Sequence, residues 1–317
     1  NVFANSRTFS SPPIRSYGVL CEARLSLFFF ILNKSRIPMK KFAVFGNPIA
    51  QSLSPTIHQM FAEQVGEKIS YEKILAPVDG FVDAANAFLA QEGAVGCNVT
   101  MPFKLDAFNL AKVDDQAAKD AQAVNTLMNG DSGEIWGFNT DGVGLVNDLL
   151  NSGVEIKGKR VLLIGAGGAA RGVISPLIKA GAASLTIANR TKAKAEEVVN
   201  AASNAKVQVV ALEDIADVAP HIIINSTAAS LSNELPCRLN DGVLQNCEVV
   251  YDMVYKNSPT RFMREAAELG VKTQIDGLGM LVEQAAEAFY IWTQKRPDTS
   301  DIVKRVRAIV EQGEKRN

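Results

Sequence analysis

Apolar and amphipathic segments alternate along the chain from residue 41 onward. The short apolar segments predict strands, and the segments with apolar residues at helical spacing predict helices. Ser54 and Pro55 have the residue types of an N-cap and a first helical position, and Asn129-Gly130 predicts a hairpin turn. The predicted strands of this first part are 41–46, 69–75, 94–99, 123–128 and 134–138. The predicted helices are 55–65 and 80–91, followed by short helices up to about residue 121.

A second alternating series begins near residue 141. Residues 160–164 form a continuous apolar segment, which is typical of a parallel sheet buried on both faces. Strand and helix alternate in both series, and this pattern predicts an α/β fold. The predicted strands of the second series are 160–164, 184–188, 208–211, 221–225, 248–253 and 272–275. Its predicted helices are 142–150, 169–180, 192–202, 260–269, 280–294 and 300–312.

The composition is that of an ordinary globular enzyme. The chain has 317 residues, 47% hydrophobic and 21% charged, and this length corresponds to about two domains. A net charge of −1 gives no basic excess, so neither nucleic acid nor an anionic membrane is an expected partner. The four cysteines are scattered and only two histidines are present, which argues against a metal site or a disulfide framework. A reducing compartment, the cytoplasm, is expected.

Residues 1–38 differ from the rest of the chain. They contain a single acidic residue, Glu22, together with several Arg and Ser residues. Their apolar stretch at 27–32 is too short to span a bilayer, which needs about 20 apolar residues. Three interpretations stay open: upstream sequence ahead of a start at Met39, an organellar targeting peptide, or a structural element. The first is favoured, and the segment is left out of the fold prediction.

A glycine-rich turn follows the predicted strand at 160–164. Such a turn lets the backbone approach a pyrophosphate, while the next helix points free N–H groups at it. The alternative is an ordinary tight turn, but the strand before and the helix after match the context that the dinucleotide motif requires. The residues predicted to bind a dinucleotide here are Gly165, Ala166, Gly167, Gly168 and Ala169.

The next predicted strand ends about 20 residues past the glycine turn, where NAD-binding proteins usually place Asp or Glu. This chain has Asn189, Arg190 and Thr191 there, with Lys192 and Lys194 close behind. A guanidinium can bind a 2′-phosphate and stack on adenine, whereas no carboxylate is available for a ribose 2′-hydroxyl. The pattern favours NADP(H) over NAD, with a solvated basic turn as the alternative.

Three polar clusters lie outside the nucleotide unit. Ser52 and Ser54 lie in a loop that leads to a helix N-terminus and suits a carboxylate. Residues 98–104 end a strand and carry Lys104, and residues 123–142 include Asp141. Taken singly, Lys104 is an ordinary surface lysine, Asp141 is an N-cap for a helix at 142, and Ser54 is a helix cap.

Together these strings resemble the shikimate dehydrogenase family over about residues 41–309. The matching strings are GNPIAQSLSP, NVTMPFK, AVNTL, NTDGVG, IGAGGAARG, NRT, YDMVY and DGLGMLVEQAA, in this order. Members of the family reduce 3-dehydroshikimate to shikimate with NADPH in aromatic amino-acid biosynthesis. The resemblance therefore implies an NADP-dependent oxidoreductase that acts on a small-molecule substrate.

The resemblance also implies roles for individual residues. Lys104 is the general acid/base and works with Asp141. The residues implied to bind substrate are Ser52 and Ser54 for the carboxylate, Thr100, Asn125 and Asp141 for ring hydroxyls, and Tyr255 and Gln284. Those implied to bind NADP(H) are Gly165–Ala169, Asn189, Arg190, Thr191, Lys192, Ala193 and Lys194, with Met253 and Gly277 at the nicotinamide.

The chemistry of the residues agrees with these roles. Hydride transfer to a ketone builds negative charge on its oxygen, and a donor must supply a proton as that charge grows. The clusters contain no histidine, so a lysine is the available acid, and an adjacent carboxylate favours its charged form. No metal is needed. His58 and His221 are interpreted as structural.

Two stretches depart from the family pattern. Gln51 stands where the family commonly has His, so no catalytic role is expected there. Residues 225–230 lack the glycine that the family usually has in this loop, which leaves cofactor contacts by Ser226 and Thr227 open.

We expect two α/β domains with the active site in the cleft between them. Residues 39–140 and 278–317 form a substrate-binding domain with a mostly parallel sheet, and residues 141–277 form a Rossmann-like NADP-binding domain. The alternatives are a quinate/shikimate dehydrogenase with relaxed cofactor use and a non-catalytic NADP-binding protein. Glutamyl-tRNA reductase-like and methylene-folate dehydrogenase-like proteins do not explain the Ser52/Ser54 loop. The oligomeric state is left open by the sequence, with a homodimer as the suggested assembly.

Overall fold

The computed structural model describes residues 39–202 and 207–313. Residues 1–38, for which three interpretations stay open, lie outside the described residues. Within the described part, the α/β fold expected from the sequence is confirmed, with two separate sheets. No helix in this part combines the length and the apolar character needed to cross a membrane.

The first sheet has five strands in the order β2-β1-β3-β4-β5. β1 pairs in parallel with both β2 and β3, whereas β4 is antiparallel to β3 and β5. Four of the five strands therefore run in the same direction, in agreement with the mostly parallel sheet that was expected. In chain order the strands are β1 (Lys40–Gly46), β2 (Ile69–Leu75), β3 (Ala94–Val99), β4 (Thr126–Asn129) and β5 (Ile135–Phe138).

The second sheet has six parallel strands in the order β11-β10-β9-β6-β7-β8. This is the doubly wound order of dinucleotide-binding sheets, in which ligands bind at the carboxyl ends of the strands, where the order reverses. In this sheet that point lies between β6 and β9. The strands are β6 (Arg160–Ile164), β7 (Ser184–Asn189), β8 (Val207–Ala211), β9 (Ile222–Asn225), β10 (Val249–Asp252) and β11 (Thr273–Asp276).

Helices cover both faces of each sheet. α1, α10 and α11 bury one face of the first sheet, and α2, α3 and α4 bury the other. The second sheet lies between α5, α6 and α7 on one face and α8 and α9 on the other. In chain order the helices are α1 (Ser54–Val65), α2 (Phe81–Leu89), α3 (Lys104–Leu110), α4 (Gln116–Ala121), α5 (Asp141–Asn151), α6 (Gly168–Lys179), α7 (Lys192–Ala202), α8 (Asp241–Leu244), α9 (Arg261–Glu268), α10 (Leu278–Thr293) and α11 (Ser300–Gly313).

Two helix caps expected from the sequence are absent from the structure. α1 begins at Ser54 itself, with Leu53 at the N-cap position and no side-chain cap. α5 begins at Asp141, whose N–H donates to Asn139 Oδ1 while its carboxylate caps nothing. Ser54 and Asp141 are therefore not helix caps, because their side chains turn toward the same cavity instead. The pattern also missed α8 and the two short 3₁₀ helices at Leu212–Val218 and Ala229–Ser232.

α5 connects the two sheets. It packs against α6 beside the second sheet and against α10, which covers the first sheet. Near its C-terminal end, the buried carboxylate of Asp148 accepts a hydrogen bond from the Tyr251 hydroxyl on β10 (2.6 Å). The same carboxylate lies against Gly279 at the start of α10. One buried side chain therefore fixes three elements relative to each other, and α5 carries Asp141 at its other end. The domain boundaries stay predictions.

Burial gives Asp148 an unusual acidity, from which a pH dependence follows. Its carboxyl pKa is raised from 3.8 to about 6, chiefly by desolvation; the hydrogen bond from Tyr251 lowers it, and the neighbouring Glu283 and Asp276 carboxylates raise it. The folded state therefore binds a proton more readily than the unfolded chain. The stabilisation is fully present below about pH 4 and is lost as the pH rises through 6.

Comparison with Asp148→Asn isolates this effect. We expect the wild type to gain about 2 kcal/mol of unfolding free energy relative to the variant between pH 7.5 and pH 4. Urea unfolding of both proteins at several pH values measures the difference, and the contributions of other titrating groups cancel in the subtraction. Parallel curves for the two proteins would contradict the raised pKa.

Candidate active site

A cavity of about 290 Å³ opens at the carboxyl ends of β1 and β3. β1 lies between β2 and β3, so the strand order reverses here, and the loops after these two strands diverge to leave a crevice. All eight residues predicted to be catalytic or substrate-binding line this cavity, as do two of the predicted cofactor residues. They are Ser52, Ser54, Thr100, Lys104, Asn125, Asp141, Tyr255 and Gln284, with Met253 and Gly277.

Lys104 and Asp141 form an ion pair in this cavity. Each is the first residue of its helix, α3 and α5 respectively. Lys104 Nζ lies 2.5 Å from Asp141 Oδ2, and the two side chains are 25% and 11% exposed. This partial burial keeps the pair away from bulk water on most sides while the ammonium still reaches the cavity. A substrate oxygen bound there would therefore meet a preformed, charged proton donor.

Asn125 fixes the other side of the Asp141 carboxylate. Its Nδ2 donates to Asp141 Oδ1 and to Thr140 Oγ1, both at 2.9 Å. Its Oδ1 accepts from the Thr140 N–H (2.9 Å) and from the Thr126 hydroxyl (2.9 Å). Both ends of this buried amide have partners, so its orientation is determined by the network. Asp141 is consequently held on one oxygen by an amide and on the other by an ammonium.

The network continues to two residues that were given no role from the sequence. Asn98 Nδ2 donates to Thr126 Oγ1 (3.1 Å), and Asn98 Oδ1 accepts from the Tyr71 hydroxyl (2.7 Å). Asn98 is among the residues that line the cavity, whereas Tyr71 is not. Asn98 stands in the string NVTMPFK and could have been chosen from it. Tyr71 lies on β2 and reaches the site through the sheet, so no local pattern points to it.

Ser52 and Ser54 form a hydroxyl pair in the wall of the same cavity. Their Oγ atoms are 3.2 Å apart, and the Ser54 N–H also points at Ser52 Oγ (3.3 Å). The pair lies at the N-terminus of α1, which has no side-chain cap and whose backbone dipole favours an anion. Two hydroxyl donors beside a helix N-terminus suit a carboxylate.

The glycine turn after β6 has the shape that a dinucleotide requires. Gly165 has a φ of 111°, a left-handed conformation that favours glycine, and it packs against Ser226. Around Gly167 and Gly168, space is open where a Cβ would point. α6 begins there without a side-chain cap, so its first N–H groups are available to a phosphate. The turn therefore fits the pyrophosphate of NADP(H).

A cavity of about 410 Å³ lies on the β7 side of the glycine turn. Gly165, Asn189 and Arg190 line it, whereas Thr191, Lys192, Ala193 and Lys194 do not. The Asn189 side chain donates to the Thr191 carbonyl (2.8 Å) and shapes the turn. Glu234 also lines the cavity, and its carboxylate would repel a 2′-phosphate. Binding of that phosphate therefore needs a cation in the cavity wall. The exposed Arg190 is that cation.

Removing the Arg190 charge tests its role. We expect Arg190→Gln to raise the KM for NADP⁺ about 10-fold or more and to leave the KM for NAD⁺ within about 2-fold, because only NADP⁺ carries the 2′-phosphate. Steady-state kinetics with both cofactors give the ratio. Lys179→Gln, which removes an exposed charge in the last turn of α6 and outside the cavity, is the matched control. An equal loss with both cofactors would contradict this role for Arg190.

The two described histidines lie outside these cavities. His58 is fully buried and stacks on Tyr71, with 4.5 Å between ring centroids. Burial lowers its pKa from 6.5 to about 3, so the ring stays neutral. His221 Nδ1 accepts a hydrogen bond from the Arg160 N–H (3.0 Å) at the start of β6. Both positions agree with structural roles.

The doubly wound sheet, its glycine turn and the adjoining polar cavity define an α/β protein of the dinucleotide-binding class. Three family models match the chain: Shikimate dehydrogenase substrate binding domain at residues 44–127, Shikimate / quinate 5-dehydrogenase at 147–234, and Shikimate 5′-dehydrogenase C-terminal domain at 277–307. A shikimate dehydrogenase (NADP(+)) of Alteromonas mediterranea is 91% identical over 279 residues, which cover 88% of this chain and 100% of the relative. The chain belongs to the shikimate dehydrogenase family.

Solved structures agree with this assignment. An Ael1 enzyme from Pseudomonas putida is 39% identical, with a TM-score of 0.79 and coverage of 84% of this chain and 97% of the other. Shikimate 5-dehydrogenase from Thermus thermophilus, in complex with NADP(H) and shikimate, is 32% identical, with a TM-score of 0.75 and coverage of 85% and 99%. The fold class predicted from the sequence is therefore confirmed by structural relatives as well.

Proposed function

We propose that this chain catalyses the reversible NADP-dependent conversion of shikimate to 3-dehydroshikimate, a step in aromatic amino-acid biosynthesis. The observation that carries the proposal is the Lys104–Asp141 pair, which lies in a polar cavity that Met253 and Gly277 also line. A proton donor and the predicted nicotinamide site thus lie along one small cavity. The names of the relatives support both the substrate and the cofactor.

The cavity distinguishes the two ends of such a substrate. Ser52 and Ser54 donate hydroxyl hydrogen bonds to the carboxylate at one end. Asn125 and Asp141 bind ring hydroxyls at the other, with Thr100 between them. This arrangement orients the ring so that the oxidisable C–OH group lies beside Lys104. Tyr255 and Gln284, from the β10–α9 connection and from α10, close the cavity over the ring.

Lys104 moves the proton. In the reducing direction, a hydride adds to the keto carbon of 3-dehydroshikimate, and the carbonyl electron pair moves onto the oxygen. The Lys104 ammonium gives its proton to that oxygen and becomes a neutral amine, which then takes a proton from water. Asp141 keeps the lysine in place through the ion pair. In the oxidising direction, the neutral amine accepts the hydroxyl proton.

NADPH, when bound, supplies the hydride. The residues proposed to hold it are the glycine turn Gly165–Ala169 for the pyrophosphate, the 189–194 segment for the adenosine end, and Met253 and Gly277 for the nicotinamide. Gly277 lies against the Met253 backbone so closely that no side chain fits there. Ser226 donates to the Ile164 carbonyl (2.8 Å) and supports the turn from below.

Several finer points belong to the same proposal. The domain division at residues 39–140 with 278–317 and 141–277 is supported by the separation of the two sheets. A cytoplasmic location is supported by the free thiols of Cys97, Cys237 and Cys247. A homodimer stays a prediction from the sequence.

A spectrophotometric assay tests the proposal. Purified protein is mixed with shikimate or quinate and with NADP⁺ or NAD⁺, and absorbance of the reduced nicotinamide is followed. We expect turnover to be fastest with shikimate and NADP⁺. Comparable rates with quinate would favour a quinate/shikimate dehydrogenase, and no NADP⁺ reduction with shikimate would refute the proposed function in favour of a non-catalytic NADP-binding protein.

A further inference from the structure

A second cavity, of about 620 Å³, adjoins the proposed active site. It shares Thr100 and Lys104 with the substrate cavity, and Gly168 and Ala169 of the glycine turn form part of its wall. Its charged lining residues are Lys104 and Arg171, and no Asp or Glu is among them. The cavity therefore extends from the start of α6 to the proton donor. All of its charged lining residues are positive.

Arg171 is placed to face the glycine turn. It is the fourth residue of α6, and it lies on the helix face of Gly167 and Gly168 because residues three and four apart share a face. Helical side chains lean toward the N-terminus of the helix, so the Arg171 side chain extends over the turn that begins α6. That direction agrees with its place in the cavity wall.

The Arg171 guanidinium has no polar partner among the described residues. Within residues 39–202 and 207–313, it makes no hydrogen bond and no ion pair, although the residue is half-buried. Lys104, the other cation of the cavity, is already paired with Asp141. A half-buried guanidinium has five N–H donors and a permanent charge, and it is stabilised by an anion that can accept two parallel hydrogen bonds. A phosphate group has this geometry.

We propose that Arg171 is a cofactor-binding residue that holds the pyrophosphate of NADP(H) from the side of Lys104. The proposal rests on the proposed function, because it takes the glycine turn to be the pyrophosphate site. A helix N-terminus offers about half a positive charge, whereas a pyrophosphate bridge carries two negative charges. Arg171 supplies the missing positive charge. The two arginines then bind different parts of the cofactor. Arg190 binds the 2′-phosphate, and Arg171 binds the pyrophosphate.

This division gives a sharp test. The pyrophosphate is common to NADPH and NADH, but only NADPH has the 2′-phosphate. We expect Arg171→Gln to weaken the binding of both by a similar factor, about 10- to 100-fold, so that their affinity ratio stays unchanged. Arg190→Gln should weaken the binding of NADPH more than that of NADH, and so lower the ratio of NADPH affinity to NADH affinity. Arg171→Lys, which keeps the charge and loses the bidentate geometry, should lie between Arg171→Gln and the wild type.

The measurement is a fluorescence titration of each reduced cofactor without substrate. Lys179→Gln, in the last turn of the same helix, removes one charge far from the cavity and should bind both cofactors like the wild type. Inorganic pyrophosphate should bind Arg171→Gln more weakly than it binds the wild type or Lys179→Gln, as measured by isothermal titration calorimetry. Thermal unfolding of each variant verifies that it is folded.

Wild-type affinity of Arg171→Gln for both cofactors would overturn the inference, and so would a loss confined to NADPH. Unfolding of Arg171→Gln would leave Arg171→Lys to decide: an unchanged affinity for both cofactors in that variant would count against the bidentate contact. The titration needs no turnover. An inactive wild type that binds NADPH through Arg171 would refute the proposed reaction alone, and an active enzyme indifferent to Arg171→Gln would refute this inference alone.

Discussion

We expect Lys104→Ala to lower kcat for shikimate oxidation by about 10²- to 10⁴-fold, the range that a positioned general acid or base contributes. The loss arises because no other basic side chain of the substrate cavity can accept the hydroxyl proton. Water entering the space of the deleted side chain is a weaker acceptor, and Asp141 has one oxygen engaged by Asn125. NADP⁺ affinity should change by less than about 3-fold, since Lys104 is paired with a carboxylate rather than with the glycine turn.

Steady-state kinetics in both directions and a cofactor titration measure the two effects separately. Lys119→Ala, an exposed lysine on α4, is the matched control and should keep wild-type kcat. Asp141→Asn should lower kcat as well, and the double variant Lys104→Ala/Asp141→Asn should lose far less than the product of the single losses, because the two act as one unit. Full turnover by Lys104→Ala would show that the proton follows another route.

The sequence predicted most of the fold because its local signals agree with the packing. The apolar strand 160–164, the glycine turn and the helix after it are each specified by neighbouring residues, and the structure places them as expected. The residues of the substrate cavity could be chosen because they stand at strand ends and helix starts. The parallel strand order brings those ends together at one edge of each sheet.

The errors come from contacts between residues distant in sequence. Ser54 and Asp141 have good capping side chains, yet neither caps its helix, because a cavity built by other elements engages them instead. Tyr71 reaches Asn98 across the sheet, and no local pattern encodes that hydrogen bond. Asp148 reads as a polar residue within an amphipathic helix, although it is buried between β10 and α10. Its role depends on the arrangement of three elements.

We expect Gly279→Ala to destabilise the protein by about 1–6 kcal/mol, the net of three effects. A methyl group at Gly279 would overlap the buried Asp148 carboxylate, so either α10 or the carboxylate must move. Overpacking of this kind costs about 1–3 kcal/mol, and loss of the Tyr251–Asp148 hydrogen bond adds about 1–3 kcal/mol. The higher helix propensity of alanine offsets up to about 1 kcal/mol. A shift of α10 also displaces Gln284, so the KM for shikimate should rise.

A double-mutant cycle separates this clash from a general sensitivity of α10. In an Asp148→Ala background the overlapping carboxylate is absent, so Gly279→Ala should cost less than about 1 kcal/mol or even stabilise the helix. Urea unfolding of the wild type, both single variants and the double variant gives the coupling energy. Additive losses would show that the methyl group meets something other than Asp148. α5 carries Asp141 and α10 carries Gln284. Strong coupling, together with a shikimate KM that is raised in Gly279→Ala but not in the double variant, would therefore show that the Asp148–Gly279 contact sets the position of Gln284 relative to Asp141.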